Sequence, residues 1–400
     1  RFAELDLVRA DWRNYTKSLN ESGAISPVTN FNISAVSIEE NGSREPVNYV
    51  LPPGISRVID PANPQLRQLN EQSMELKVTD LEQGDAKAAY KAITMDFRRY
   101  KRLKIEVHAE QIEDSPLKDD ELQLFVRLGS DYNYNYYEYE LPLKLTPYGF
   151  YNVDNESDRY IVWPDENRID LPLDLFTNVK LARNDAMRQA GSGIGIQDIY
   201  EMVHQGWNKN KNKVKIKGNP NLGDVQVMMI GIRNKKGQLN TGPKSAIVWI
   251  NEMRLSEFDE DGGWAANSRL TTRLADLGSV TMAGRVRTAG YGNLEENINE
   301  RQLDDVKEID VAASLELGKF FPEKLGVRLP LYYGYSRSAA SPKYNPLDPD
   351  IELEKSLEHA ETKQEKDSIR FISQDVITRK SINFTNVKIE PQKQKEKTHL

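Results

Sequence analysis

The 400-residue chain has no cysteine. A disulfide framework, a thiolate metal site and a cysteine nucleophile are therefore excluded. The absence also suits a protein that crosses an oxidising periplasm, where stray thiols are a liability. No apolar run approaches the ~18 residues that a membrane helix requires, so a helical membrane protein is ruled out. Histidine is scarce: His108, His204, His359 and His399 are scattered without the close spacing of a zinc motif. His108 falls on the polar side of an alternating segment and is expected to be solvated. Positive charge is in deficit, 54 Lys and Arg against 61 Asp and Glu, for a net charge of −7, which argues against a nucleic-acid partner. There is no Gly-x-Ser-x-Gly elbow. The carboxylate pairs Asp119-Asp120 and Asp304-Asp305 are expected in polar loops, and no catalytic constellation or cofactor motif is visible.

Two motifs come close to chemistry and fall short. Gly191-Ser-Gly-Ile-Gly195 follows a helical stretch, not a strand, and lacks the Lys-Ser/Thr of a phosphate loop; it reads as a helix C-terminus. Glu257-Phe-Asp-Glu-Asp-Gly262 begins like a calcium loop, but its twelfth position is Ser268, where a bidentate Glu is needed. An acidic linker is the expected reading.

What the chain does have is tyrosine, 18 against 11 phenylalanines, and alternation. Tyrosine suits pleated, half-wet surfaces because its ring buries while its hydroxyl reaches water. The opening, Arg1 to Lys17, is amphipathic and reads as strand and turn or as one helix. From Asn30 the pattern is β: Phe31, Ile33, Val36 and Ile38; then, after the Tyr49–Gly54 loop, Met74 to Leu81, Leu103 to Ala109, and a hairpin of Leu122–Leu128 with Tyr136–Leu143. Pro172 to Ala190 is the best helical candidate. Gln205 to Asn221 reads as a polar loop, and Val225–Ile232 and Ser245–Leu255 as further strands. Residues 1–29 are thus expected to be a connecting segment, and residues 30–258 a jelly-roll-like β-sandwich.

Residues 259–400 have a different texture. Segments of about ten residues alternate, the length a tilted strand needs to cross a bilayer. In Ala266–Leu274, Leu270 and Leu274 oppose Asn267, Arg269 and Arg273. In Val280–Thr288, Val280, Met282 and Val286 oppose Thr281, Arg285 and Arg287. In Glu308–Leu317, Ile309, Val311, Ala313, Leu315 and Leu317 oppose Glu308, Asp310, Ser314 and Glu316. In Val327–Ser336, Val327, Leu329, Leu331, Tyr333 and Tyr335 oppose Arg328, Tyr332 and Ser336. The last candidate is Ser381–Ile389, where alternation slips near Thr385. Connections alternate between tight (Ala275–Ser279, Gly318–Gly326) and long (Gly290–Lys307, Ala339–Arg379), as short periplasmic turns and long external loops do in bacterial barrels. By that rule the strand starting at Ala266 begins outside, and the sandwich before it is external. A second soluble sandwich would alternate in the same way. Tyr132, Tyr134, Tyr136, Tyr137 and Tyr139 support a rival function, a glycan-binding module on the cell surface.

The segments Val248-Trp-Ile-Asn-Glu-Met-Arg-Leu-Ser-Glu-Phe-Asp-Glu-Asp-Gly-Gly-Trp-Ala-Ala-Asn267, Leu317-Gly-Lys-Phe-Phe-Pro-Glu-Lys-Leu-Gly-Val-Arg-Leu-Pro330, Pro342-Lys-Tyr-Asn-Pro-Leu-Asp-Pro-Asp350 and Arg379-Lys-Ser-Ile-Asn-Phe-Thr-Asn386 resemble the SprA/Sov family. So do Tyr49–Ile55, Gln68–Ser73 and Tyr100–Glu110 upstream. That family is the giant outer-membrane translocon of the Bacteroidetes type IX secretion system, and the resemblance covers an internal part of its long polypeptide. It implies strands of a very large single-chain transmembrane β-barrel that exports folded cargo bearing type IX C-terminal signal domains, including gliding adhesins. A smaller outer-membrane barrel at a lateral gate and a periplasmic plug protein are the implied partners, with the lipid bilayer. In that frame Arg269, Arg273, Arg285, Arg287, Glu308, Asp310, Glu316 and Arg328 are expected to face the lumen. Val280, Met282, Val286, Ile309, Val311, Leu315, Leu317, Val327, Leu329, Leu331 and Tyr333 are expected to face lipid. These are wall residues, not a catalytic site.

Overall fold

A computed structural model describes residues 12–19, 29–57, 68–112, 115–189, 191–204, 211–237, 242–251, 253–259, 262–292, 295 and 301–390. Arg1 to Asp11 and His399 lie outside the described residues. The chain divides into two compact units, Arg1–Asp259 and Glu260–Leu400. Both are built from antiparallel strands with few helices, so the protein is all-β.

In the first unit, a seven-stranded sheet runs in the spatial order Arg13–Asn14, Ala86–Met95, Val225–Arg233, Gln123–Gly129, Tyr136–Pro142, Lys213–Lys217, Tyr200–Val203. A four-stranded sheet is ordered Asn30–Ser37, Gln72–Leu81, Lys244–Ile250, Val107–Gln111, and a three-stranded one Arg254–Phe258, Tyr100–Ile105, Ile169–Pro172. Alternate residues of all three sheets fill one core, among them Leu76, Val78, Ile105, Ala109, Val126, Tyr139, Ile230 and Val248. This is sheet-on-sheet packing. The helix Asp174–Arg188 adds Phe176 and Val179 to that core. Its Lys180 ammonium donates to Pro220 O at 3.0 Å, and Arg183 donates to Gly218 O.

Sequence expectations need correction here, among them Ser245–Leu255, which splits into Lys244–Ile250 and Arg254–Phe258 in different sheets. Leu103–Ala109 is not one strand: it breaks at Glu106, so Tyr100–Ile105 and Val107–Gln111 serve different sheets. The expected loop Gln205–Asn221 contains the strand Lys213–Lys217, whose Val214 and Ile216 reach the core while its lysines alternate on the opposite face. Asp304 and Asp305 open a strand instead of sitting in a loop.

The second unit is built on a five-stranded meander, Ala265–Leu274, Gly278–Arg287, Asp304–Glu316, Pro330–Pro342 and Asp375–Phe384. The fifth strand therefore starts six residues before the expected Ser381. Val327–Ser336 is likewise not continuous. Val327–Arg328 pairs with Lys388–Ile389 in a separate two-stranded ribbon, and the long strand begins at Pro330. Glycine sets the ribbon. Gly326 has φ +57°, and a Cβ there would lie 1.7 Å from Glu390 O, so only glycine allows the ribbon to close. The long excursion 343–374 is folded: Tyr344–Asn345 pairs with Asp348–Glu352, and the helices Leu353–His359 and Lys363–Ser373 follow.

Candidate functional site

The meander is a site because of how its register sorts chemistry. Residues directly opposite in an antiparallel pair share a face. Met282 is opposite Leu270 and Val311, and Val311 is opposite Tyr335. Val280, Ala313, Tyr333 and Ile382 form the next row on that face, and Gly278, Leu315, Leu331 and Phe384 the row after. Val286 and Ile309 lie on the same face by parity. No pairing within this sheet shifts register. A one-residue slip anywhere would have mixed the faces.

The opposite face is polar and small. One row reads Arg269, Ala283, Asp310, Ser336, Arg379; the next reads Asn267, Arg285, Glu308, Ser338, Ile377. Arg273, Thr271, Arg287 and Glu316 lie on this face too. Thr271 and Thr281 hydroxyls are 3.2 Å apart, and Arg285 reaches Glu308 at 3.5 Å. That pair is solvent-exposed, so it adds at most about 1 kcal/mol. Arg379 belongs to this set, although alternation alone starts the fifth strand at Ser381, past it.

Four of the expected residues fall outside the two faces. Leu317 opens the 3-10 turn Leu317–Phe320, and Val327, Arg328 and Leu329 belong to the ribbon and its exit. There Glu316 accepts from Leu329 N at 2.7 Å, and Arg328 pairs with Glu390 at 3.5 Å. Glu316, Val327, Arg328 and Glu390 help line a cleft of about 1130 Å³ at the tight-turn end of the sheet, with Asp276, Lys319 and Lys388. Leu274 to Gly278 closes that end in three residues, with Ala275 at φ +46° and Gly278 packed against Ser314 O.

The sandwich holds two clusters of its own. On the outer side of the seven-stranded sheet, Glu138 and Glu140 are buried among Arg127, Lys215, Arg233 and Lys235. Arg127 donates to Glu138 at 2.7 and 3.0 Å, Arg233 at 2.8 and 3.2 Å, and Lys215 reaches Glu140 at 2.6 Å. Burial pushes the Glu138 carboxyl up, but the charges of Arg233, Arg127 and Lys215 outweigh it and hold the carboxyl well below its usual range. Arg127 also stacks 3.8 Å over the Tyr136 ring.

The second cluster overturns the solvated reading of His108. It is fully buried, stacked at 3.9 Å on Trp249 and edge-on to Trp163. Its Nδ1 donates to Val162 O at 2.9 Å. The loop after Val47 and the helix Glu156–Val162 cover what looked like the wet side of its strand. Glu110 beside it is held by Arg44; its carboxyl is raised by burial but lowered overall by His108 and Arg44. The tyrosine run is equally structural. Tyr137 stacks on Phe176, Tyr139 hydrogen-bonds His204 and Asn212, and burial pushes its hydroxyl up to about 12. Tyr136 is buried beneath Arg127, which leaves Tyr134 as the exposed member of the set. Among the described residues no group of three His, Asp or Glu side chains could hold a metal ion, and no helix is long and apolar enough to cross a membrane.

Residues 1–357 match the family model SprA_N, described as motility related/secretion protein. The chain belongs to that family. No curated protein matches it. The family is one of motility and secretion, not an enzyme family. Its match covers the whole sandwich and the first four strands of the meander.

Proposed function

We propose that the five-stranded meander is a segment of the wall of a large outer-membrane barrel that conducts folded proteins out of the cell. The apolar face meets lipid and the charged face meets a water-filled lumen. The observation that carries this reading is the register: across five hydrogen-bonded strands it gathers Leu270, Met282, Val280, Val311, Leu315, Leu331, Tyr333 and Ile382 on one side and Arg269, Arg285, Glu308, Asp310, Ser336 and Arg379 on the other. A strand of ten residues is ~34 Å long and, tilted by ~40°, rises ~26 Å, which matches the apolar band of such barrels. A charged, small-residue lumen wall resists adhesion of apolar cargo surface.

Five strands do not close a barrel, for which at least about eight are needed, so further strands must pair with the edges Ala265–Leu274 and Asp375–Phe384. Type IX cargo with its C-terminal signal domain, a smaller barrel at a lateral gate and a periplasmic plug are the partners this reading calls for. This reading expects the long connections, and the sandwich, on the outer side of the membrane. The test is a pair of substitutions on one strand. Val311→Arg or Leu315→Arg puts a cation into lipid at ~2–4 kcal/mol near the midplane and should block assembly in the outer membrane, whereas Ser314→Arg should assemble and secrete. Equal tolerance at the three positions refutes the wall.

A further inference from the structure

The apolar face is not uniformly apolar, and the exceptions lie together. Lys307 sits on it, opposite Val286 and Ala339; Arg337 sits on it, opposite Ile309 and Thr378; Lys380 sits on it, opposite Tyr335. Lys307 and Arg337 are diagonal neighbours on adjacent strands, and so are Arg337 and Lys380. Such diagonals place Cα atoms roughly 7–8 Å apart, so three long cationic side chains converge on one area. All three are exposed, and none forms an ion pair among the described residues. Lys380 lies 6.0 Å from the Tyr335 ring centroid. The carboxylate on this face near them, Asp305, is engaged by Ala289 N at 2.8 Å.

The three cations step down the sheet from strand to strand, toward the tight-turn end: two residues from Lys307 to Arg337 and two more to Lys380. A level line across strands tilted by ~45° steps by about 1.4 residues per strand. Lysine and arginine side chains span the difference. On the first two strands that line passes near Trp264 and Thr288, which hydrogen-bond each other and continue the same register. Trp264 is exposed, as an interfacial aromatic is. An unpaired cation is costly in hydrocarbon but not at the headgroup level.

We propose that Lys307, Arg337 and Lys380 form a binding site for the phosphate of an anionic lipid headgroup, at the lipid–water boundary of the long-loop end of the sheet. The inference rests on the wall reading, because it needs the apolar face to meet lipid. It accounts for what that reading alone leaves unexplained, three unpaired cations on the oily side. Arg337 supplies a planar donor fork to the phosphate and the lysines supply point charge.

The test is native mass spectrometry of the intact protein equilibrated with equal amounts of phosphatidylglycerol and phosphatidylcholine. The expected result is preferential retention of phosphatidylglycerol by at least about fivefold. K307Q/R337Q/K380Q should lose the preference, and K307R/R337K/K380R should keep most of it, which separates charge from folding damage. R269Q/R285Q/R379Q, on the other face, should leave it unchanged. Equal phosphatidylglycerol retention by wild type and the first variant overturns the site. Loss of the preference in millimolar inorganic phosphate overturns the commitment to lipid. Lipid lost with the R269Q set instead would mean that the other face meets lipid, and the wall reading fails with the site.

Discussion

Replacing Glu138 by Gln should destabilise the sandwich, by an amount that the geometry around it bounds. Glu138 and Glu140 are two carboxylates against four cations, Arg127, Lys215, Arg233 and Lys235. Neutralising Glu138 raises the excess of buried positive charge from two to three. Breaking a buried ion pair from one side costs ~3–5 kcal/mol, because the surviving charges stay desolvated. Glutamine keeps the volume and one acceptor, so the lower end, ~3 kcal/mol, applies. For a unit of this size that is a fall in Tm of roughly 6–12 °C. Scanning calorimetry at pH 7 measures it, and pH supplies the control. The folded-state pKa of Glu138 is depressed, so its stabilisation is complete above the unfolded value of ~4.3 and is lost as pH falls through the folded value. The gap between wild type and E138Q should therefore be constant from pH 7 to about 5 and shrink in stronger acid. A variant within 0.5 kcal/mol of wild type at pH 7, or a gap that does not shrink in acid, would refute the reasoning.

Other outcomes are as definite. Trp249→Ala empties the space between His108, Tyr49 and Trp163 and should cost about 3–5 kcal/mol in denaturant titration. Gly326→Ala puts a Cβ into Glu390 O at a left-handed φ, so hydrogen exchange should show the Val327–Ile389 ribbon opening while the meander stays protected. Glu308→Gln removes an exposed partner of Arg285 and should move stability by less than about 1 kcal/mol; a larger loss would mean that this face is covered.

Which parts of this were legible in the sequence follows from what alternation can and cannot encode. Val280 against Arg285, or Val311 against Asp310, fixes a strand and its two sides, and the structure keeps those sides apart over five strands. Boundaries are harder. Alternation starts the fifth strand late because Val376 and Ile377 are adjacent apolar residues that break the period, and because Val387 and Ile389 beyond Phe384 mimic its continuation. The ribbon at Val327 depends on Gly326 meeting Glu390, a contact 64 positions away that no local pattern contains.

The deeper ambiguity is what lies over a charged strand face. Glu138, Glu140, Arg127 and Lys215 alternate with apolar residues just as Glu308, Asp310, Arg285 and Arg269 do. In the sandwich the charged side is buried and its carboxylates are saturated with cations; in the meander both sides are open, from Leu270, Met282 and Ile309 on one to Arg269 and Arg285 on the other. The difference lies in the company each charge keeps. Glu138 and Glu140 each have three cationic partners, so they can leave water. Asp310 lies in a row with Arg269 and Arg379 but forms no ion pair among the described residues, and Arg273 forms none either. Such a face is stable only while water reaches it. The aliphatic face across the sheet from it is stable only where water does not. In the proposed wall the sheet lies at a boundary between the two media, which suits both of its sides, whereas a soluble second sandwich would suit only one.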